Sequence, residues 1–188
     1  MSPTTVSTRS TRRARTKVPG AVLLDRDGTL VRDVPYNADP GQVRPMPSAR
    51  AALAILRREG VCTGVLTNQS GVGRGLVSEA QLRAVNARVE ELLGPFDVWA
   101  VCRHVPQEGC VCRKPAPGLV FAAATRLAVN PWDVVVIGDV GSDVAAARAA
   151  GARAVLVPTP LTRPEEVDEA PLVAPDLLTA VRWAMEGT

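Results

Sequence analysis

The sequence predicts an α/β protein with a doubly wound parallel sheet. Short apolar runs of strand length alternate along the chain with segments of helical periodicity, and several runs end at a polar residue. Strands that alternate with helices form right-handed crossovers, which produce a parallel sheet with helices on both faces. The predicted strands are residues 21–24, 61–66, 98–101, 134–137 and 154–157, and the predicted helices are 48–58, 78–93, 117–127, 139–150 and 175–185.

The first elements follow from local sequence signals. Residues 21–24 are wholly apolar and end at Asp25, as a buried parallel strand would. Glycines and prolines between residues 28 and 47 exclude long regular structure there. Ser48 is placed to cap the first helix, which ends at Gly60.

The later elements carry similar signals. Ser78 and Gln81 have the spacing of a capping box, and Pro117 can begin the next helix. Residues 139–150 are rich in alanine and predict a helix, and a connection rich in proline and glutamate precedes the last one. We find no internal repeat and expect one domain over residues 19–188.

Composition narrows the functional class. The chain has 188 residues and is 46% hydrophobic, which suffices for one sizeable core. Its apolar runs are too short to span a bilayer, and no apolar segment of signal-peptide length follows the basic N-terminus. We therefore expect a cytoplasmic protein with no membrane partner.

The basic charge is concentrated in the first 18 residues, which hold five basic and no acidic side chains. The net charge of +3 therefore becomes −2 when this segment is set aside. A basic tail can contact nucleic acid, but a disordered leader is the simpler interpretation. Only Tyr36 and Phe96 are aromatic between the tail and Trp99, so the folded body has no surface for stacking bases and we expect no nucleic-acid partner.

Three predicted strand ends present Asp25, Thr67 and Asp139, and active sites of parallel sheets lie at that edge. Asp25 and Asp27 are separated by one residue on a turn loosened by Gly28. This spacing lets the first carboxylate attack while the second gives and takes a proton, although a solvated turn is an equal alternative for this motif alone. Thr67 would offer its hydroxyl to a phosphate.

Lys114 is the only lysine outside the tail, and a compact ammonium suits a phosphoryl oxygen that changes geometry during transfer. Asp139 and Asp143 are spaced i and i+4, hence on one face if a helix begins there. Such acids suit Mg²⁺. The alternatives are a chance surface lysine and an acid pair favoured by the helix dipole.

Together these residues resemble the haloacid dehalogenase superfamily of phosphohydrolases, which has a Rossmann-like fold. Residues 25–30 (DRDGTL) resemble its first motif, Thr67 its second, Lys114 its third, and Asp139 with Asp143 its fourth. The resemblance implies hydrolysis of a phosphomonoester through an aspartyl-phosphate. It also implies a role for each residue: Asp25 as nucleophile, Asp27 as general acid and base, Thr67 and Lys114 as phosphoryl-binding residues, and Asp25, the Asp27 carbonyl and Asp139, supported by Asp143, as Mg²⁺ ligands.

The gaps between these motifs are too short to hold a cap domain, so we expect a capless, open site and a monomer. The segment 33–36 and the loop 102–112 would form its walls. In that loop, three thiols and one imidazole within eleven residues match a closed structural zinc site, although core cysteines or a redox pair are possible. The proposed zinc ligands are Cys102, His104, Cys110 and Cys112.

Within the superfamily, the zinc loop followed by Arg113 resembles capless phosphatases that act on D-glycero-D-manno-heptose 1,7-bisphosphate at C7 and others that act on histidinol phosphate. Residues 67–71 (TNQSG) and Tyr36 favour the heptose group, whereas the short zinc loop resembles the histidinol group, and Val140 stands where better-known heptose enzymes have lysine. A catalytically silent phosphate-binding module is the alternative from another class. The residues expected to contact the small phosphorylated substrate are Asp33, Tyr36, Asn68, Gln69, Ser70 and Arg113.

Overall fold

The fold is seen in a computed structural model that describes residues 18–187. Five strands form one sheet in the order β3-β2-β1-β4-β5, and all neighbouring strands are parallel. This confirms the predicted doubly wound α/β class. The strands are β1 Ala21–Asp25, β2 Cys62–Asn68, β3 Val98–Cys102, β4 Val134–Gly138 and β5 Arg153–Leu156.

Seven α-helices connect or flank these strands in the described part of the chain. The third helix begins with the predicted capping box, since the Ser78 hydroxyl accepts from the Gln81 amide and the Gln81 side chain accepts from the Ser78 amide. The helices are α1 Ala49–Arg58, α2 Ser70–Gly73, α3 Glu79–Leu93, α4 Gly118–Arg126, α5 Gly141–Ala150, α6 Pro164–Glu169 and α7 Leu177–Glu186.

The sheet is buried between two helical layers. Along β1, Val22 and Leu24 pack into the cluster formed with α1, α3 and α7, whereas Ala21 and Leu23 pack into the cluster formed with α4 and α5. Successive strand residues point to opposite faces, so a strand covered on both sides must be apolar throughout. This explains the uninterrupted apolar run that predicted β1.

Three local predictions differ from the structure. The helix expected from residue 139 begins at Gly141, so Asp139 is the first residue of a short connection after β4 rather than sharing a helix face with Asp143. Ser48 precedes α1, but its side chain makes no capping hydrogen bond. Helices α2 and α6 were not predicted, because four to six residues are too few to show helical periodicity.

The strand order shows where along the sheet a binding site is expected. After β1 the chain adds β2 and β3 on one side and then returns to add β4 and β5 on the other, so the switch point lies between β1 and β4. Within residues 18–187, the connection before α1 holds two isolated β-bridges and the 3₁₀ turn Pro40–Gln42, and that before α3 holds only α2. Neither is a cap domain, as predicted.

The predicted basic tail lies outside the described residues except for Val18. Among the helices that the structure describes, none combines the length and apolarity that crossing a membrane requires.

Gly64 is expected to be intolerant of any side chain, because a Cβ there would lie 2.5 Å from Val98 Cγ1 and 2.7 Å from Leu23 Cδ2 in the middle of the sheet. Gly64→Ala should lower the free energy of unfolding by about 1–3 kcal/mol in urea titrations. The double variant Gly64→Ala/Val98→Ala should lose less free energy of unfolding than the sum of the two single losses. Strict additivity would show that the contact does not limit packing here.

Candidate active site

A buried lysine lies between an acid at the end of β1 and an acid of α5. The Lys114 ammonium is 2.5 Å from Asp25 Oδ1 and 2.5 Å from Asp143 Oδ1, and it donates to the Leu66 carbonyl at 3.0 Å. Burial by itself would lower the pKa of Lys114, but the charges of Asp143 and Asp25 outweigh it and raise this pKa. The lysine therefore stays charged inside the protein.

The acids around Lys114 outnumber it. Burial raises the pKa of Asp25 well above its ordinary value, and Lys114 only partly opposes this. Burial and the neighbouring charge of Asp143 raise the pKa of Asp139 to about 7. Carboxylate oxygens of Asp25, Asp139 and Asp143 all lie within 4.8 Å of one another. A hard divalent cation with oxygen ligands fits such a set, since it would neutralise the excess charge.

Two glycines allow this close approach of acids. A Cβ at Gly28, which has φ +85°, would overlap the Asp139 carboxylate, and a Cβ at Gly138 would overlap the Asp143 carboxylate. Asp143 is the third residue of α5 and accepts from the Val140 amide at 3.3 Å. The two acids thus reach one site from a loop and a helix.

Two threonines hold the Asp139 loop. The Thr29 hydroxyl donates to Asp139 Oδ1 at 3.3 Å, and the Thr162 hydroxyl, from the connection before α6, donates to the Asp139 carbonyl at 2.6 Å. Thr162 was not singled out in the sequence, because no spacing pattern links it to a strand end.

The Asp27 side chain lies outside the acid cluster and has its own partners. Gln69 Nε2 donates to Asp27 Oδ2 at 2.8 Å and to Thr67 Oγ1 at 2.8 Å. Thr67 is buried at the end of β2. From the other side, Arg26 donates to both oxygens of the Asp27 carboxylate. The geometry thus separates Asp27 from the three acids that can share a cation.

Asn68 connects β2 to the lysine. Its Nδ2 donates to the Lys114 carbonyl at 3.1 Å, and its Oδ1 accepts from the Lys114 amide at 3.1 Å. Both ends of the side-chain amide are therefore engaged by backbone, so Asn68 holds Lys114 in place, and its contact with substrate stays a prediction. Ser70 begins α2 directly after this segment.

The other predicted substrate contacts border the site. Tyr36 is 49% exposed, has φ +51°, and packs closely against Gly71. Asp33 is close enough to Asp27 that burial and the charge of Asp27 raise its pKa. Arg113 has a buried Nη1 without a hydrogen-bond partner among the described residues.

The predicted zinc ligands converge. Cys102 Sγ lies 3.7 Å from Cys110 Sγ and 3.3 Å from Cys112 Sγ, and His104 Nδ1 lies 3.2 Å from Cys112 Sγ. Ligand atoms around tetrahedral zinc are about 3.5–3.8 Å apart, so this cluster needs only a small expansion to hold the ion. The four cysteines of the chain form no disulfide. Cys62, in β2, lies outside the cluster.

Comparison with known proteins agrees with this arrangement. Residues 111–180 match the HAD-hydrolase-like family model. The D-glycero-beta-D-manno-heptose-1,7-bisphosphate 7-phosphatase of Pseudomonas putida is 37% identical over 169 residues, which cover 86% of this chain and 97% of the relative. That of Pseudomonas aeruginosa is 37% identical over 143 residues, covering 73% and 80%.

Solved structures give the same result. A D,D-heptose 1,7-bisphosphate phosphatase from B. bronchiseptica, complexed with magnesium and phosphate, has a TM-score of 0.78 and 29% identity. The match covers 89% of this chain and 99% of that one. A HAD-like phosphatase from Mesorhizobium loti has a TM-score of 0.68 and 32% identity, covering 88% and 87%.

The surplus of buried acids predicts a pH-dependent stability when Mg²⁺ is withheld. The folded pKa of Asp139, about 7, lies above the ordinary value of 3.8, so the folded state keeps a proton that the unfolded chain has released. The free energy of unfolding should therefore fall as the pH rises from 3.8 to about 7. The loss is about 1.4 kcal/mol for each pH unit in this window.

Urea titrations at pH 5 and pH 8 measure most of this change. Asp139→Asn should flatten the dependence, and added Mg²⁺ should restore stability at pH 8. Equal stability of the unmodified protein at both pH values would contradict the expectation.

The Cys/His cluster predicts one zinc ion per chain. Cys112→Ser should lose the metal and lower the free energy of unfolding by more than about 2 kcal/mol, because a structural zinc ligand contributes directly to folding. Elemental analysis and denaturant titration measure both effects. Cys62→Ser, the control outside the cluster, should keep the metal. Freshly purified protein without zinc would refute the site.

Proposed function

Because the chain belongs to the haloacid dehalogenase-like phosphatases, we propose that it removes the C7 phosphate of D-glycero-D-manno-heptose 1,7-bisphosphate through a phosphorylated Asp25. The observation that carries the chemistry is the buried Lys114 ammonium held between Asp25 and Asp143 at the end of β1. The relatives' names and their coverage support the substrate.

The first step transfers the phosphoryl group to the protein. An Asp25 carboxylate oxygen attacks phosphorus in line, and the bond from phosphorus to the C7 oxygen breaks. Asp27, protonated for this step, gives its proton to the departing oxygen, so that a neutral alcohol leaves. Lys114 and Thr67 bind the phosphoryl oxygens during the transfer and balance their charge.

The second step releases phosphate. Asp27, now a carboxylate, takes a proton from a water molecule as the water oxygen attacks the phosphorus of the aspartyl-phosphate. The bond from phosphorus to Asp25 breaks, which regenerates the Asp25 carboxylate and yields inorganic phosphate. Asp27 gives a proton in the first step and takes one in the second, so one residue serves as both acid and base.

Magnesium fits the three-acid cluster. Carboxylates of Asp25, Asp139 and Asp143 would hold it together with the Asp27 carbonyl oxygen, and the bound ion would neutralise phosphate charge and orient the phosphoryl group. The Asp27 carboxylate contacts Arg26 and Gln69 and is not part of the three-acid cluster. A cation bound there would therefore leave this carboxylate available for proton transfer.

Arg113 supports a small substrate with a second anionic group. The buried Arg113 Nη1 lacks an acceptor in the described residues, and a distal sugar phosphate would supply one. Tyr36, Asp33, Gln69 and Ser70 would contact the remainder of the sugar. Zinc in the 102–112 loop would hold Arg113 and Lys114 in place, since both directly follow Cys112. The enzyme would act as a monomer in the cytoplasm, where thiols remain reduced.

Kinetics with candidate substrates tests this proposal. With Mg²⁺, kcat/KM for heptose 1,7-bisphosphate should exceed that for histidinol phosphate by at least about tenfold, because only the bisphosphate pairs with Arg113. Asp25→Asn should abolish turnover, and Asp27→Asn should lower it by about 10²–10⁴.

Arg113→Gln separates substrate from chemistry, because it should raise KM for the bisphosphate and leave p-nitrophenyl phosphate hydrolysis nearly unchanged. A preference for histidinol phosphate would reassign the substrate, and turnover by Asp25→Asn would refute the mechanism.

A further inference from the structure

Arg26, the residue between the two motif aspartates, is engaged in a buried hydrogen-bond network that leads to Asp27. We propose that Arg26, held in turn by Asn86 of α3, is a positioning residue that aims one oxygen of the Asp27 carboxylate at the departing group. This inference rests on the proposed function of Asp27 as general acid and assigns roles to two residues that the motif resemblance does not.

The guanidinium of Arg26 makes a bidentate contact with the Asp27 carboxylate. Arg26 Nη2 donates to Asp27 Oδ2 at 2.9 Å, and Nε donates to Oδ1 at 3.1 Å and to Oδ2 at 3.2 Å. Arg26 is only 1% exposed, whereas the Asp27 side chain is 24% exposed. A two-point contact fixes the plane of the carboxylate, which a single donor cannot do.

Asn86 fixes the other end of the guanidinium. Arg26 Nη1 donates to Asn86 Oδ1 at 2.7 Å. Arginine has no acceptor atoms, so the oxygen of the Asn86 amide must face it. Asn86 lies next to the buried face of α3, formed by Leu82, Val85 and Val89, and is thereby anchored by the packing of that helix. The orientation of Arg26 thus depends on a helix outside the motif loops.

The two oxygens of the Asp27 carboxylate are not equivalent. Oδ2 accepts from Arg26 Nη2 at 2.9 Å and from Gln69 Nε2 at 2.8 Å, whereas Oδ1 has only the longer contact with Arg26 Nε, at 3.1 Å. The less engaged oxygen has the capacity to carry a proton. The arrangement therefore assigns Oδ1 as the oxygen that protonates the departing alcohol, while Oδ2 anchors the side chain.

This role predicts a dependence on the leaving group. A poor leaving group needs the proton from Asp27 in the first step, whereas a good one departs largely without it. A misoriented Asp27 carboxylate should therefore lower kcat/KM more for esters of basic alcohols than for esters of acidic phenols. The parameter kcat/KM covers the steps through the first irreversible one, so it isolates phosphorylation of Asp25 from hydrolysis of the intermediate.

The experiment measures kcat/KM, with Mg²⁺, for a series of substituted phenyl phosphates and for heptose 1,7-bisphosphate. Asn86→Leu removes the acceptor and keeps similar volume. It should lower kcat/KM about tenfold for the heptose ester and less than about threefold for p-nitrophenyl phosphate, with a steeper dependence on the basicity of the leaving group. Asn86→Asp, which retains an acceptor, should behave like the unmodified protein, and Arg26→Lys should resemble Asn86→Leu.

Gln81→Ala provides the matched control. It removes half of the capping box of the same helix, α3, without contacting Arg26 or Asn86. It should lower stability and leave the leaving-group dependence unchanged. If Asn86→Leu lowers kcat/KM by the same factor for every ester, or if Gln81→Ala reproduces its selectivity, the positioning role is wrong.

The aryl esters do not depend on the identity of the natural substrate, so a failed heptose assignment leaves this test intact. Hydrolysis of those esters by Asp25→Asn at the rate of the unmodified protein would instead refute the proposed function, and the positioning role with it.

Discussion

The site depends on one buried positive charge. Transferring an ammonium group from water into the protein interior costs several kcal/mol, and only close acids with good geometry offset that cost. Lys114 meets this condition because Asp25 and Asp143 both lie 2.5 Å away and the Leu66 carbonyl accepts a further hydrogen bond. The same contacts oblige the acids to stay close together, which is the condition for sharing a cation. Stability alone would not favour this cluster, which agrees with the proposed role in balancing charge during phosphoryl transfer.

Lys114 comes from a loop, and loops place side chains less accurately than strands do. Two anchors make up for this. The Asn68 amide pairs with both the amide and the carbonyl of Lys114, which joins the loop to the end of β2. On the other side, the Cys/His cluster ends at Cys112, two residues before the lysine, and the Arg113 amide donates to Cys110 Sγ at 3.4 Å. A zinc ion there would therefore act on the phosphoryl site through backbone geometry alone.

Much of this site could be predicted from the sequence because parallel strands end at one edge of a sheet. Asp25, Thr67 and Asp139 follow three apolar runs, and Lys114 is the only lysine outside the N-terminal tail. The helix start at Gly141 could not be predicted, because Asp139 and Gly141 are equally plausible first residues before an alanine-rich segment. Nor could the contact between Arg26 and Asn86, since hydrogen bonds between residues 60 positions apart leave no periodic signal.

The contrast between the two cations explains why the chain uses a lysine in one place and an arginine in the other. In the proposed mechanism Lys114 follows phosphoryl oxygens that move as phosphorus inverts, and a compact ammonium on a flexible stem can do so. Arg26 must hold a carboxylate that should not move, and a planar fork with two parallel donors suits that purpose. Neither side chain could replace the other. A guanidinium is too large for the space between Asp25 and Asp143. An ammonium at position 26 would leave the Asp27 carboxylate free to rotate. In the proposed mechanism a rigid contact therefore aims the general acid, while an adaptable one binds the phosphoryl group.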